Sequence, residues 1–345
     1  MTQEHLYKKA DKADDMADLD LKDAEPMQIV GACYAEWLNE NTDKYKVWMH
    51  SDPPREILYR NACRIIRPFK EKLAGELYTD RLPLVKKISE EAEKNSCKDY
   101  DTGYFFSAVL NETGVNKLCI GRLSRNEGGF GYRLQPGKTV EVLRWGRVSH
   151  IGDRAEGGTV VNNGDVGGMG DYAKSGKFVN NGRADSMGFF AESGDFINHN
   201  HAGSMGNYAS GNFINHGKVR NIGGESKAGI FINCGSIEEE FGKDGGRFME
   251  NGMSYFFNFG TAERMGLKGK GVFVNSGIVK KTFVYGAAES FAADRKVLKE
   301  NTELNALMGK IRLAAESDNI SKIEKLARKV DGHLRGKKYK PRKIA

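Results

Sequence analysis

Two groups of residues in this chain have types and spacings that chemistry requires. The first lies on a repeat of about 18 residues, whose sixth position reads Asn163, Asn181, His199, His216 and Cys234. Equivalent residues on stacked parallel strands stand about 4.8 Å apart. His199, His216 and Cys234 would then form a ladder of two imidazoles and a thiolate, with His201 close by. Those donors suit zinc, and a zinc ion held there would make a metal-dependent enzyme. The rung spacing is longer than a tetrahedral site prefers, so the side chains would have to bend toward each other. The competing expectation is an outward polar ladder beside a turn, with no cofactor. The second group is Arg335, Lys337, Lys338, Tyr339, Lys340, Arg342 and Lys343. Its cations would neutralise phosphates and release counterions, and Tyr339 would stack on a base. A solvated helix end followed by a frayed tail has the same composition.

Charge sharpens the second reading. Formal net charge is +7 over 345 residues. Residues 319–345 carry ten Lys or Arg against Glu324 and Asp331, so this segment alone exceeds the whole excess. Residues 1–30 carry four Lys against eight acids. No GxxxxGK[ST], HExxH or GxSxG occurs. GGFGYRLQPGK (128–138) is glycine-rich with a lysine but has no strand–loop–helix context for phosphate. The five cysteines contain no CxxC and are odd in number. They read as reduced, mostly buried thiols.

The elements that must position these groups are set by the repeat. Gly158, Gly176, Gly194, Gly211 and Gly229 open successive units. The third position is Val160, Phe178, Phe196, Phe213 and Phe231, and the fifth is Asn162, Asn180, Asn198, Asn215 and Asn233. An apolar–glycine pair recurs at Ile151-Gly152, Met169-Gly170, Met187-Gly188, Met205-Gly206 and Ile222-Gly223. VEVLRWG (140–146) is an upstream degenerate copy, and GRFMENG, YFFNFG and GVFVNSG continue the pattern. A glycine-punctuated period of 18 with short strands predicts a parallel β-solenoid of about eight coils, roughly 40 Å long. Phe and Asn would form internal ladders.

GKFVNNGRADSMGFFAES (176–193) resembles the GXGXG family of right-handed parallel β-helices. That family includes the C-terminal domain of the glutamate synthase large subunit and one of the subunits of formylmethanofuran dehydrogenase. The resemblance covers about residues 138–280. It implies a structural or interaction element without chemistry of its own. Asn at the fifth position and a unit of 18 residues depart from the family pattern. Eighteen is also three hexapeptides, as in left-handed coils, with Phe178, Ala184 and Phe190 six apart. That phase is lost by Gly211, so the right-handed form is preferred.

The expected fold class is therefore α+β and multidomain, with a central β-solenoid between helical segments. Residues 1–26 are an acidic polar head. Residues 27–137 form a mainly helical domain, with helices over 27–47, after Ser51-Asp52-Pro53-Pro54, and over 82–96. Segments 103–113 and 115–123 read as strands from their aromatic and β-branched content. The solenoid occupies 138–285, helices 286–332 and a basic tail 333–345. The helical segments would cover the two ends of the solenoid. No apolar run approaches the ~20 residues of a membrane helix, and the polar start suggests a cytoplasmic location. Aromatics at 10% argue for a packed core. The leading expectation is a non-enzymatic scaffold that binds a protein partner or itself. A nucleic-acid- or ribosome-associated protein is second, and a metal-dependent enzyme third.

Overall fold

In the computed structural model each repeat unit is one coil of a parallel solenoid. Residues 26–48, 54–78, 102–121, 128–243, 254–266, 271–283 and 291–336 are described. The coil that matches the sequence repeat best runs through strand Ser175–Asn180, a tight turn at Asn181-Gly182 and strand Arg183–Met187. A third, non-strand side then leads to the next coil at Asp195–Asn198. The first strands of all coils pair in parallel into a long sheet, and the second strands into a short sheet of eight. Among the described residues the long sheet has eleven strands, because Ala74–Tyr78, Gly114–Ile120 and Phe291–Ala293 extend it at its ends.

Register is in phase with the repeat. Phe178 pairs with Phe196, Phe196 with Phe213, and Phe213 with Phe231. The rings stack 4.5, 4.7 and 5.1 Å apart with nearly parallel planes, and the stack continues through Phe256 and Phe273. Burying a ring of this size contributes about 1.5–3 kcal/mol. Beside them runs an unbroken amide chain. Each Nδ2 of Asn162, Asn180, Asn198, Asn215, Asn233 and Asn258 donates to the Oδ1 of the next asparagine at 2.7–2.9 Å, ending at Asn275. The same amides also donate to the backbone of the next coil, as Asn180 does to His201 O at 2.9 Å. One side chain thereby closes the corner between the two sheets and ties each coil to the next.

Three features differ from the sequence reading. Phe231 pairs directly with Phe256, and the intervening GRFMENG lies outside the described residues. On the third side Ala191 is buried, while Phe190 turns outward with a left-handed backbone. The hexapeptide phase through Phe190 is therefore not the inward phase. Residues 103–113 are mostly helix, Gly103–Glu112, and not strand. Gly103 through Leu110 are all buried, so the aromatic and β-branched content reports burial on every side. An apolar run cannot distinguish a buried strand from a buried helix by periodicity. Gly103 is required there, because a Cβ would lie 2.1 Å from Gly128 O.

Among the described residues six helices flank the solenoid: α1 (Pro26–Trp48), α2 (Pro54–Ile66), α3 (Gly103–Glu112), α4 (Arg295–Glu300), α5 (Thr302–Glu316) and α6 (Ile320–Gly336). Pro68 ends α2 in a 3-10 turn, Arg67–Lys72. The segment 82–96, Cys97 and the start at 51–53 lie outside the described residues. Helices α1 to α3 cover the first coil, with Trp37, Phe105, Phe106 and Phe130 in one core with Val140 and Val160. Of the C-terminal helices, α4 meets the last strand of the long sheet, Phe291–Ala293, and α5 and α6 extend the cover back over earlier coils. They lie on the outer face of the long sheet, where Leu304, Met308, Ile311, Leu326 and Val330 bury Ile214, Ile230, Ile232, Phe257, Val272 and Val274. The reason is visible in the outward positions. Lys177, Asp195 and Asn212 give way on later coils to Ile230, Tyr255 and Val272. Leu313 faces solvent instead of this core.

The amide ladder makes a sharp prediction. Asn198→Ala breaks two buried amide bonds and should lower unfolding free energy by about 2–4 kcal/mol. Asn181→Ala, in the exposed neighbouring ladder, should cost under about 0.5 kcal/mol. Urea denaturation of the two variants measures the difference. Equal effects would mean that the ladder does not hold the coils.

Candidate functional site

The residues expected to bind zinc do lie on adjacent coils, just after the asparagine ladder. The His199 and His216 rings stack 5.1 Å apart at 7°. Their partner is a carboxylate from another element. Asp318, in the turn between α5 and α6, places Oδ1 3.0 Å from His216 Nε2 and Oδ2 3.5 Å from His199 Nε2. Asp318 adopts φ +50°, and the following Asn319 caps α6 by accepting from Lys322 N at 3.1 Å. The ladder thus meets the docked helical hairpin. Cys234 is partly covered there, and burial pushes its thiol up to about 12. A zinc-ligating thiolate would have to overcome that cost. His201, on the first strand position of the short sheet, points elsewhere in register with Arg183 and Lys218.

The basic group is only partly within the described residues. Arg335 pairs with Asp331 at 2.8 Å near the end of α6. Lys337, Lys338, Tyr339, Lys340, Arg342 and Lys343 lie outside them. In the glycine-rich segment 128–138 the lysine is a brace. Lys138 Nζ donates to Thr113 O at 2.8 Å and Val115 O at 2.7 Å.

Two further constellations occupy the third side of the coils. At its N-terminal end, where the short sheet turns into it, stand His150 of strand Arg147–Ile151 and Asp153 and Asp171, whose ligand atoms all lie within 4.8 Å of one another. They form the one such trio among the described residues. His150 Nδ1 is buried, makes no hydrogen bond and lies 3.7 Å from Asp171 Oδ2. Asp171 Oδ1 accepts from Phe189 N at 3.2 Å. Arg55 of α2 reaches Asp153 Oδ2 at 3.9 Å. Burial, and then the charge of Asp153, push the Asp171 carboxyl up to about 7, against the opposing effect of His150. Next along this side comes a ring stack. Tyr172, Phe190 and Tyr208 lie 5.3 and 5.0 Å apart. The Arg154 guanidinium and the Lys227 ammonium each stand 6.0 Å from a ring of the stack. Tyr208 Oη donates to Glu225 Oε1 at 2.8 Å.

Sequence reasoning misses both constellations, although a signal is present. HIGDRA and GMGDYA repeat at an offset of 18, with aspartate straight after the apolar–glycine pair, and SMGFFA and SMGNYA follow. These are corner positions, outside the strand and core patterns that periodicity picks out. Among the described residues no helix is long and apolar enough to cross a membrane.

Fold and corners together define a β-solenoid protein with a helical cap and a laterally docked helical hairpin. Compared with known proteins, the chain matches no family model, no curated protein and no solved structure.

The His–Asp318 clamp has a pH signature. Burial, outweighing the pull of Asp318 and joined by His216 and Lys177, holds His199 below its ordinary 6.5. The folded chain therefore binds fewer protons here than the unfolded chain. The contribution is fully present above that ordinary value and is lost as pH falls below it. Denaturation midpoints should drop on acidification from about pH 7.5 to 5.5, and less so in His199→Asn. Asp318→Ala should weaken hairpin docking by about 1 kcal/mol. Faster amide exchange over Ile320–Gly336 would register it.

Proposed function

We propose that this protein is a non-enzymatic interaction scaffold, a rigid solenoid that presents a fixed row of aromatic rings to a protein partner. One observation carries the reading. Arg154, Tyr172, Phe190, Tyr208 and Glu225 occupy the same corner on five successive coils, all with φ between +50° and +56°. A side chain in this left-handed conformation costs about 1–2 kcal/mol, and glycine would avoid the cost. The chain has 42 glycines, yet none stands at this corner on these five coils. Backbone strain kept at solvent-accessible positions is a mark of function.

The surface it produces suits a protein. Tyr172 is 46% exposed, and the rings of Phe190 and Tyr208 are half-buried. Aromatic rings with an arginine beside them are enriched where proteins meet, because they bury much area at little entropy cost. Arg154 and Lys227 favour a partner with aromatic or apolar groups next to carboxylates. The resemblance to GXGXG repeats, which serve as structural or interaction elements, supports the same reading.

The test uses the full chain with a photo-crosslinker at Lys174, an exposed residue on the same side. A discrete protein adduct should form in cells. It should vanish in a Phe190→Gly/Tyr208→Gly variant that still melts within a few degrees of the parent, since relieved strain offsets lost stacking of about 0.5–1.5 kcal/mol per pair. An unchanged adduct in that variant overturns the reading. So would tight RNA or DNA binding that falls steeply with salt and disappears when the chain ends at Gly332, because the basic tail would then be the functional element.

A further inference from the structure

The trio at the start of the third side is not used by the aromatic row, and its chemistry is unusual. Two buried aspartates, Asp153 and Asp171, occupy the same position on adjacent coils. Like charges at such a spacing repel strongly where water is excluded. A third donor, the imidazole of His150, points its bare Nδ1 at the same spot. We infer that His150, Asp153 and Asp171 form a binding site for a first-row divalent cation such as Zn2+ or Mn2+, at the junction of the helical cap and the first coils.

Geometry supports the assignment. Two ligands about 2.1 Å from a tetrahedral ion stand about 3.4 Å apart. The observed 3.7 Å between His150 Nδ1 and Asp171 Oδ2 is close to that edge. One imidazole with two carboxylates suits such ions better than calcium or magnesium, which take oxygen donors. His150 must then carry its proton on Nε2, leaving Nδ1 to ligate. The His150 side chain is partly exposed, while Nδ1 itself is buried at the site.

The glycine between the ligands is an independent observation. Gly168 pairs with His150 in the short sheet. A Cβ at Gly168 would lie 2.5 Å from His150 Nδ1 and 2.9 Å from Asp171 Oδ2, in the gap the ion would share. On the next coils the same position holds Ser186, Ser204 and Asn221. On these coils glycine thus stands at this position only where the three donors meet. The carboxylates are confined in the same way, since their position continues as Phe189 and Asn207.

Arg55 is the competing cation. It approaches Asp153 only to 3.9 Å and is half-exposed. Its charge also acts on Asp171, opposing the effects of burial and of Asp153 there.

The test titrates the full chain, stripped with chelator, with Zn2+ or Mn2+, following heat of binding and melting temperature. Calcium and magnesium serve as controls. One equivalent should bind and raise the melting temperature. Gly168→Ser, which installs the residue of the next coil, should weaken binding at least about tenfold. Asp171→Asn should give two opposite signs: a higher melting temperature in chelator, because a repelling charge is gone, and no further rise with the ion. A merely structural aspartate would lower the melting temperature in both conditions. The inference is overturned if Gly168→Ser and Asp171→Asn bind the ion as the parent does. It is equally overturned if His199→Ala/His216→Ala abolishes binding, or if millimolar ion leaves the parent's melting temperature unchanged.

Discussion

The buried asparagine ladder is the constraint on which the rest depends. An amide inside a core must find partners for two donors and an acceptor. In this fold each amide finds them in the coil ahead and the coil behind, so satisfaction is possible only if every coil keeps the same register. A slip of one residue would set Asn180 against Ile197 and Phe178 against Asp195, orphaning amides and exposing rings. The phenylalanine stack adds burial but little specificity, because a ring slides over its neighbours at small cost. Hydrogen bonding supplies the register, and apolar burial supplies most of the driving force.

A core this uniform leaves individuality to the outward positions. The long sheet becomes apolar on its later coils and is covered by α5 and α6. The short sheet keeps a polar face of paired charges, such as Arg183 with Asp185 and Arg220 with Glu239. The third side carries the residues with chemical character: His150, Asp153 and Asp171 first, then Tyr172, Phe190 and Tyr208. Because every coil repeats at about 4.8 Å, groups placed there stand at regular intervals on a rigid support. That is the geometry in which a few side chains can meet a partner or an ion with little loss of conformational entropy.

The solenoid is legible in the sequence because its signals are periodic. Phe at the third position and Asn at the fifth recur over five units, and stacking converts a sequence period into a spatial one. The helix Gly103–Glu112 is not legible, since GYFFSAVL lacks a polar face and so carries no period. The His199–His216 ladder is visible as a ladder, but its partner is not. Asp318 is 102 residues from His216 and belongs to a different element. The acidic corner is written in the repeat as HIGD and GMGD, yet nothing local distinguishes a buried aspartate from a surface one. Only packing against α2 and the left-handed corner decides that.

Sequence alone determined what depends on local repetition: the strands, the turns, the coil length and the two internal ladders. Periodic residues specify neighbours that are one period away, and hydrogen bonding does the rest. The tertiary structure decided everything that joins one element to another. It laid α5 and α6 along the long sheet, because the apolar outward positions lie there. It gave His199 and His216 a shared carboxylate. It gathered an imidazole and two carboxylates around a glycine. These are long-range matches of shape and charge, and no period in the chain encodes them.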